Sequence, residues 1–221
     1  MLKDTIIENT IIDEYVNRKI LFYKDLKKNY KENIKIHNSL IINKDFIKAL
    51  EEEFSDFLKL RENSKKIPRK ENETFKTNLI KRFDRIKEIK ENSNKPTIYW
   101  FEIINKSNLS NEKIQKKFKS SKKANSGWWT VVNKGADIET KILYLGKVEK
   151  NLFGRFLQHL GIGHKKTSSL KLRKWFAQFE DIDLEFKYVQ FDNDVLPYLE
   201  DLENIYWRYC KPLLGQEPKI K

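Results

Sequence analysis

Through residues 5–90 the apolar positions recur at helical spacing. Ile6, Ile7, Ile11, Ile12, Tyr15, Val16 and Ile20 make one stripe. Phe46, Ile47, Leu50, Phe54, Phe57 and Leu58 make a second, and Phe75, Leu79, Ile80, Phe83 and Ile86 a third. Glycine is absent from this half, and Pro68, in Lys65-Lys66-Ile67-Pro68-Arg69-Lys70, breaks the pattern as a loop between helices. Residues 1–95 are therefore expected to form a helical region, either an ordinary bundle or an arm that binds DNA or dimerises.

The texture changes at Pro96. Thr97 to Ile104 is β-branched and aromatic and reads as a strand, as do Trp128 to Val132 and Lys141 to Leu145. The last two are joined through the turn-rich Asn133-Lys134-Gly135-Ala136-Asp137 into an expected hairpin. Leu152 to Leu160 places Phe153, Phe156, Leu157 and Leu160 on one helical face, and a second helix is expected from about Leu170 to Phe179. Asp183 to Phe191 alternates as a strand. A last helix, Val195 to about Tyr209, is expected to bury Val195, Tyr198, Leu199, Leu202, Ile205, Tyr206 and Tyr209 before Pro212 stops it. The fold class is α+β: a helical region over 1–95, then a smaller module of strands and helices over 96–221.

Composition narrows the function. No apolar run approaches the ~18 residues of a membrane span and no apolar segment follows Met1-Leu2-Lys3-Asp4, so a cytoplasmic protein is expected. Cys210 is the sole cysteine, and the histidines are His37, His159 and His164, which excludes a Cys-rich zinc cluster. The 45 Lys+Arg against 32 Asp+Glu leave a net charge of +13. That charge is unevenly placed: residues 105–175 hold 17 Lys+Arg against 4 Asp+Glu, whereas 176–221 hold 5 against 10. So one-sided a block points to a polyanionic partner, because phosphate contacts from Lys and Arg supply salt-sensitive affinity.

Chemistry concentrates near the end of that block. Arg155 and His159 are four apart on one helix and can act on one ligand. Just before them, Tyr144-Leu145-Gly146-Lys147 ends a strand with a glycine that permits close backbone approach. Glu203 lies one position off the expected buried stripe of the last helix.

In order, Thr97-Ile98-Tyr99, Tyr144-Leu145-Gly146, Arg155 with His159, and Glu203 before Pro212 resemble the GIY-YIG nuclease superfamily over residues 96–215. The resemblance implies a central three-stranded antiparallel sheet flanked by helices. Four departures mark it. Thr97 stands where the family has glycine, and the separation of 45 positions from Tyr99 to Tyr144 implies an insertion at about 105–140. The step from Tyr144 to Arg155 is one longer than the common spacing, and Gly215 replaces an asparagine.

The implied activity is endonucleolytic hydrolysis of DNA phosphodiester bonds, restriction- or homing-like, with double-stranded DNA as substrate. A homodimer would be one way for a lone site to cut both strands. In that reading Glu203 holds Mg²⁺ (or Mn²⁺), because one carboxylate plus phosphate and waters suits this hard ion. Arg155 forks onto phosphate oxygens. Tyr144 takes a proton from the attacking water, with Lys147 and Arg155 as neighbouring cations, while Tyr99 orients water or phosphate and His159 shuttles a proton. Lys116, Lys117, Lys119, Lys122 and Lys123, ahead of Trp128-Trp129, are candidates to track a DNA backbone. Lys165, Lys166 and Arg173 extend that surface, and Lys171 and Lys174 lie beside them. Thr97 and Gly215 motivate an alternative, a catalytically inactive nucleic-acid-binding protein on the same scaffold. A third reading makes the chain an interaction module whose basic face is incidental.

Overall fold

The computed structural model describes residues 13–218 apart from 26–27, 29–35, 65, 107–108, 138, 164–165 and 181. The chain divides into two compact units, 1–35 and 36–221. The first contains helix α1 (13–25), on which Tyr15, Val16 and Ile20 of the first stripe are exposed. Ile6, Ile7, Ile11 and Ile12 lie outside the described residues. The second unit holds the rest of the fold, and the boundary expected after residue 95 falls inside it.

That unit starts with a strand where the sequence pattern predicts helix. β1 (Ile36–Ile42) turns Leu40 and Ile42 inward and leaves Ile36 and Ile41 exposed. Such a short apolar run, with no glycine or proline to bound it, has no decisive period. Its state is set by pairing with a strand about 145 residues away in sequence. The helices that follow match the second and third stripes. In α2 (Lys44–Asn63) Phe46, Ile47, Leu50 and Leu58 are buried, and Asn43 caps the first turn by accepting the Phe46 N–H at 2.9 Å. α3 (Arg69–Arg82) buries Phe75 and Leu79, and α4 (Arg85–Glu91) buries Ile86 and Ile89.

β2 (Thr97–Lys106) begins where the β-branched texture begins. The segment expected to be an insertion contains α5 (Asn111–Ala124), followed by β3 (Ile142–Val148), α6 (Leu152–Leu160), β4 (Ile182–Gln190) and α7 (Leu199–Cys210). The sheet has four strands in the order β1-β4-β2-β3, all antiparallel, one more than expected because β1 joins from the N-terminal half. Beyond β3, Leu213 and Leu214 donate N–H bonds to the Ile142 and Leu143 carbonyls, and Leu214 also bridges Val132. The 128–132 segment thus contributes a single bridge rather than a hairpin partner for β3.

One core serves the unit. Tyr99 and Phe101 of β2 meet Phe186 of β4, and Phe156 of α6 closes over it with ring centroids 4.9 Å apart. The two neighbouring tryptophans divide: Trp129 packs against Phe118 of α5 and is 5% exposed, while Trp128 is 62% exposed. The expected helix over 170–179 is instead two short 3₁₀ turns, Leu172–Lys174 and Phe176–Gln178, preceded by Lys171 at φ 54°. On α7 the buried face is rotated from the expected one. Asn204 and Trp207 are buried, and Ile205 and Tyr209 are exposed, because the C-terminal tail crosses this side and Asn204 donates to the Pro218 carbonyl at 3.1 Å. Among the described residues no helix is long and apolar enough to cross a membrane.

Candidate active site

Antiparallel pairing of β2 and β3 sets Tyr99 opposite Gly146. A Cβ on Gly146 would lie 2.8 Å from the Tyr99 hydroxyl oxygen and 3.0 Å from Cε1 of Tyr144. Only a residue without a side chain lets both phenols approach over this strand. α6 then brings Arg155 and His159 against them. Asn151, in the left-handed region, caps that helix by accepting the Gly154 N–H at 2.9 Å, and Gly161, at φ 93°, ends it.

Four of the predicted side chains form one hydrogen-bonded group. Arg155 Nε donates to the Tyr99 oxygen at 3.0 Å, and Nη2 points at the Tyr144 oxygen at 3.4 Å. Nη1 donates to Gln158 Oε1 at 2.9 Å and to the Ser168 carbonyl at 3.0 Å. His159 Nδ1 accepts the Leu170 N–H at 3.3 Å, which leaves the proton of the neutral ring on Nε2, 3.0 Å from the Tyr99 oxygen. Tyr99 therefore receives N–H bonds from both Arg155 and His159. Of the five N–H bonds of the guanidinium, four are committed, to Tyr99, Tyr144, Gln158 and Ser168. The fork expected to grip phosphate is reduced to its Nη2 end.

His159 is wholly buried, and burial, reinforced by Arg155 and Lys171, holds its pKa well below the ordinary value. Burial thus favours the neutral ring, which braces Tyr99 through its Nε2 hydrogen bond. Tyr99 is also wholly buried. Burial first, and then Tyr144, push its pKa well above that of a free phenol. It keeps its proton and acts as a fixed acceptor. Burial works against the charge of Arg155, yet the oxygens of Tyr99 and Tyr144 overcome it and keep the guanidinium fully charged.

Glu203 reaches the same place from α7. Its Oε1 accepts the backbone N–H of Lys147 at 3.1 Å, which pins α7 to the end of β3 beside Gly146. Burial raises its pKa, opposed by Lys147 and assisted by Glu200. A half-buried carboxylate disfavoured in its charged form, with another carboxylate one turn away, is electrostatically suited to a divalent cation. Among the described residues no group of three or more His, Cys, Asp or Glu side chains suitable for a metal occurs. One carboxylate plus waters and a substrate phosphate is a donor set that fits Mg²⁺.

The other predicted contacts are scattered. Lys116, Lys119 and Lys123 stand exposed on α5 and Lys117 is partly covered. Lys122 instead donates to the Thr130 carbonyl at 2.9 Å and fastens the Trp129 segment to the helix. Lys166 is exposed, and His164 and Lys165 lie outside the described residues. Arg173, expected on the basic surface, is committed elsewhere: it pairs with Glu51 at 3.2 Å and with Glu62, both on α2, and donates to the Gly161 carbonyl. Two groups at the site were not anticipated, Gln158 and the Ser168 carbonyl, and Lys171 is expected from the sequence only beside the basic surface. Gln158 was readable as the residue three positions beyond Arg155 on a helix. Ser168 and Lys171 reach the site through the path of a loop, for which the sequence carries no periodic signal.

No family model matches the chain, and no curated protein and no solved structure matches it.

Proposed function

We propose that residues 36–218 form a metal-dependent nuclease that hydrolyses phosphodiester bonds of DNA with a GIY-YIG-type site. The observation that carries this reading is the meeting of Tyr99, Tyr144, Arg155 and His159 in one hydrogen-bonded group, with Glu203 fixed to the Lys147 N–H beside them. Residues distant in sequence have no packing reason to bring two phenols, a desolvated guanidinium and a carboxylate together at a glycine.

In this reading the Nη2 end of Arg155 takes a non-bridging oxygen of the scissile phosphate and stabilises the charge that grows there. Tyr144, the more exposed phenol, is the group that orients the attacking water by accepting a hydrogen bond from it. Tyr99 and neutral His159 do not exchange protons; they hold the guanidinium in its plane, as do Gln158 and Ser168. Glu203 would hold a Mg²⁺ or Mn²⁺ ion, which when bound supplies charge neutralisation at the phosphate and polarises a water. Lysines of α5 would lengthen the contact with the DNA backbone.

A second reading, a nucleic-acid-binding protein without catalysis, is favoured by one detail. Gly215, at φ 123°, faces Tyr144 and Trp207 where the family resemblance implies an asparagine side chain, and Trp207 Nε1 is buried with no hydrogen-bond partner. The two are separated by incubating the protein with Mg²⁺ and supercoiled and linear DNA, beside Arg155→Ala and Glu203→Ala. Nicking lost in both variants is expected. Nicking unchanged by both removes the assigned site, and salt-sensitive binding with no nicking under any metal supports the second reading.

A further inference from the structure

The segment 168–171 wraps α6 beside Arg155: the Ser168 carbonyl takes an Arg155 N–H and the Leu170 N–H reaches His159. The next residue, Lys171, is 6% exposed and lines a cavity of about 280 Å³ with Lys174, Trp129, Gly161, Gly163 and Glu62. Lys171 and Lys174 meet here beside Arg173, against a single carboxylate on the lining, Glu62, which is ion-paired with Arg173 and Lys174. The wall therefore carries an excess of positive charge, and Arg155 adds to it from behind.

We propose that this cavity is a second phosphate subsite, in which Lys171, with Lys174 at the rim, takes a backbone phosphate of the same DNA strand whose scissile phosphate lies at Arg155. The assignment rests on the nuclease reading and deepens it by extending the site along the strand. Three features favour an anion here. The wall is built from a nearly buried cation, its polar lining includes Asn125 and Ser126, and Lys171, at φ 54° and 6% exposed, is confined in a turn rather than standing on a surface helix. Burial first, then Arg155, Arg173 and Lys174, depress the ammonium to a pKa of about 8. A phosphate would raise it again, so binding should be coupled to protonation.

The test is equilibrium binding of a fluorescent duplex in EDTA, where nothing is cut, across a range of salt and from pH 7 to 9. Wild type, Lys171→Met and Lys171→Arg are compared. Lys171→Met is expected to bind about tenfold more weakly at neutral pH and to lower the salt slope by ~0.9, with Lys171→Arg close to wild type. Wild-type affinity should fall as pH rises through about 8, where Lys171 loses its charge, and Lys171→Arg should show no such fall. Inorganic phosphate, at ionic strength matched with chloride, should compete with the duplex in the wild type and lose that advantage in Lys171→Met. Equal salt slopes, or equal phosphate competition in both proteins, would overturn the subsite while leaving the nuclease reading standing. If Lys171→Met does not fold, identical pH profiles for wild type and Lys171→Arg overturn it instead. A wild type that binds DNA but never cuts it contradicts the nuclease reading alone, whereas one that binds no DNA removes both.

Discussion

Two sets of positive side chains in this protein sit in opposite physical settings. Arg155 and Lys171 are both desolvated, Arg155 tied to two phenols and a carbonyl and Lys171 buried at the wall of a cavity. The lysines of α5 stand in water on an amphipathic helix whose other face, Ile114 and Phe118, is in the core. Counted along the sequence they belong to one basic block. A buried cation acts at short range in a low dielectric and can position a single oxygen, whereas an exposed one contributes a screened, interchangeable attraction. Chemistry should therefore depend on Arg155, and affinity on the exposed lysines together with the one phosphate contact of Lys171.

The sharpest break of that division is Arg155→Lys. It keeps the charge but cannot supply N–H bonds to Tyr99, Gln158 and Ser168 together, and the cutting rate at saturating DNA is expected to fall by roughly 10²–10³. Affinity in the absence of metal should change little. A rate near wild type would mean that charge alone matters and that the buried group is no different from the exposed one.

Next comes the converse variant, Lys116, Lys119 and Lys123 together changed to Gln. Every lysine among them that neutralises a phosphate should lower the salt slope by ~0.9 when it is replaced, while the rate at saturating DNA is retained. Loss of rate with an unchanged slope would reverse the comparison.

A smaller effect separates the settings through stability. Glu203 has a raised pKa in the folded protein, so its contribution is most favourable below its unfolded value of 4.5 and is lost as pH rises through the folded pKa. Glu203→Gln should therefore raise Tm at pH 7 and give little gain at pH 4. His159 has the opposite sign. Its pKa is depressed, so the stability it supports is present above ~6.5 and is lost as pH falls. His159→Gln should flatten that acid limb of the Tm profile. The smallest change is expected for Trp128→Ala, within ~0.5 kcal/mol of wild-type stability because the ring is exposed; thermal unfolding measures it.

How far the sequence discloses this arrangement depends on what each residue needs. α6 is legible from Phe153, Phe156, Leu157 and Leu160, whose period and flanking Asn151 and Gly161 agree. Tyr99, Tyr144, Arg155 and Glu203 are legible as an ordered set and do meet in space. β1 is hidden because Leu40 and Ile42 bury equally well in a helix or a strand until β4 offers an edge. The environment of His159 is hidden too. Its spacing puts it beside Arg155, but the Leu170 N–H that closes over it arrives from a loop. Lys171 and Arg173 are two residues apart and look alike in sequence. One turns into a cavity, and the other is drawn into ion pairs with Glu51 and Glu62 of α2, a difference decided by tertiary contact alone.

The central claim, that the buried group is where DNA is cut, is tested most directly by plasmid nicking over a Mg²⁺ titration for wild type and Glu203→Gln, with DNA binding measured on the same samples. Wild type should nick only when the metal is present, and Glu203→Gln should bind the same DNA yet fail to nick at any Mg²⁺ concentration. Nicking by Glu203→Gln at the wild-type rate and with the same Mg²⁺ dependence would contradict the account.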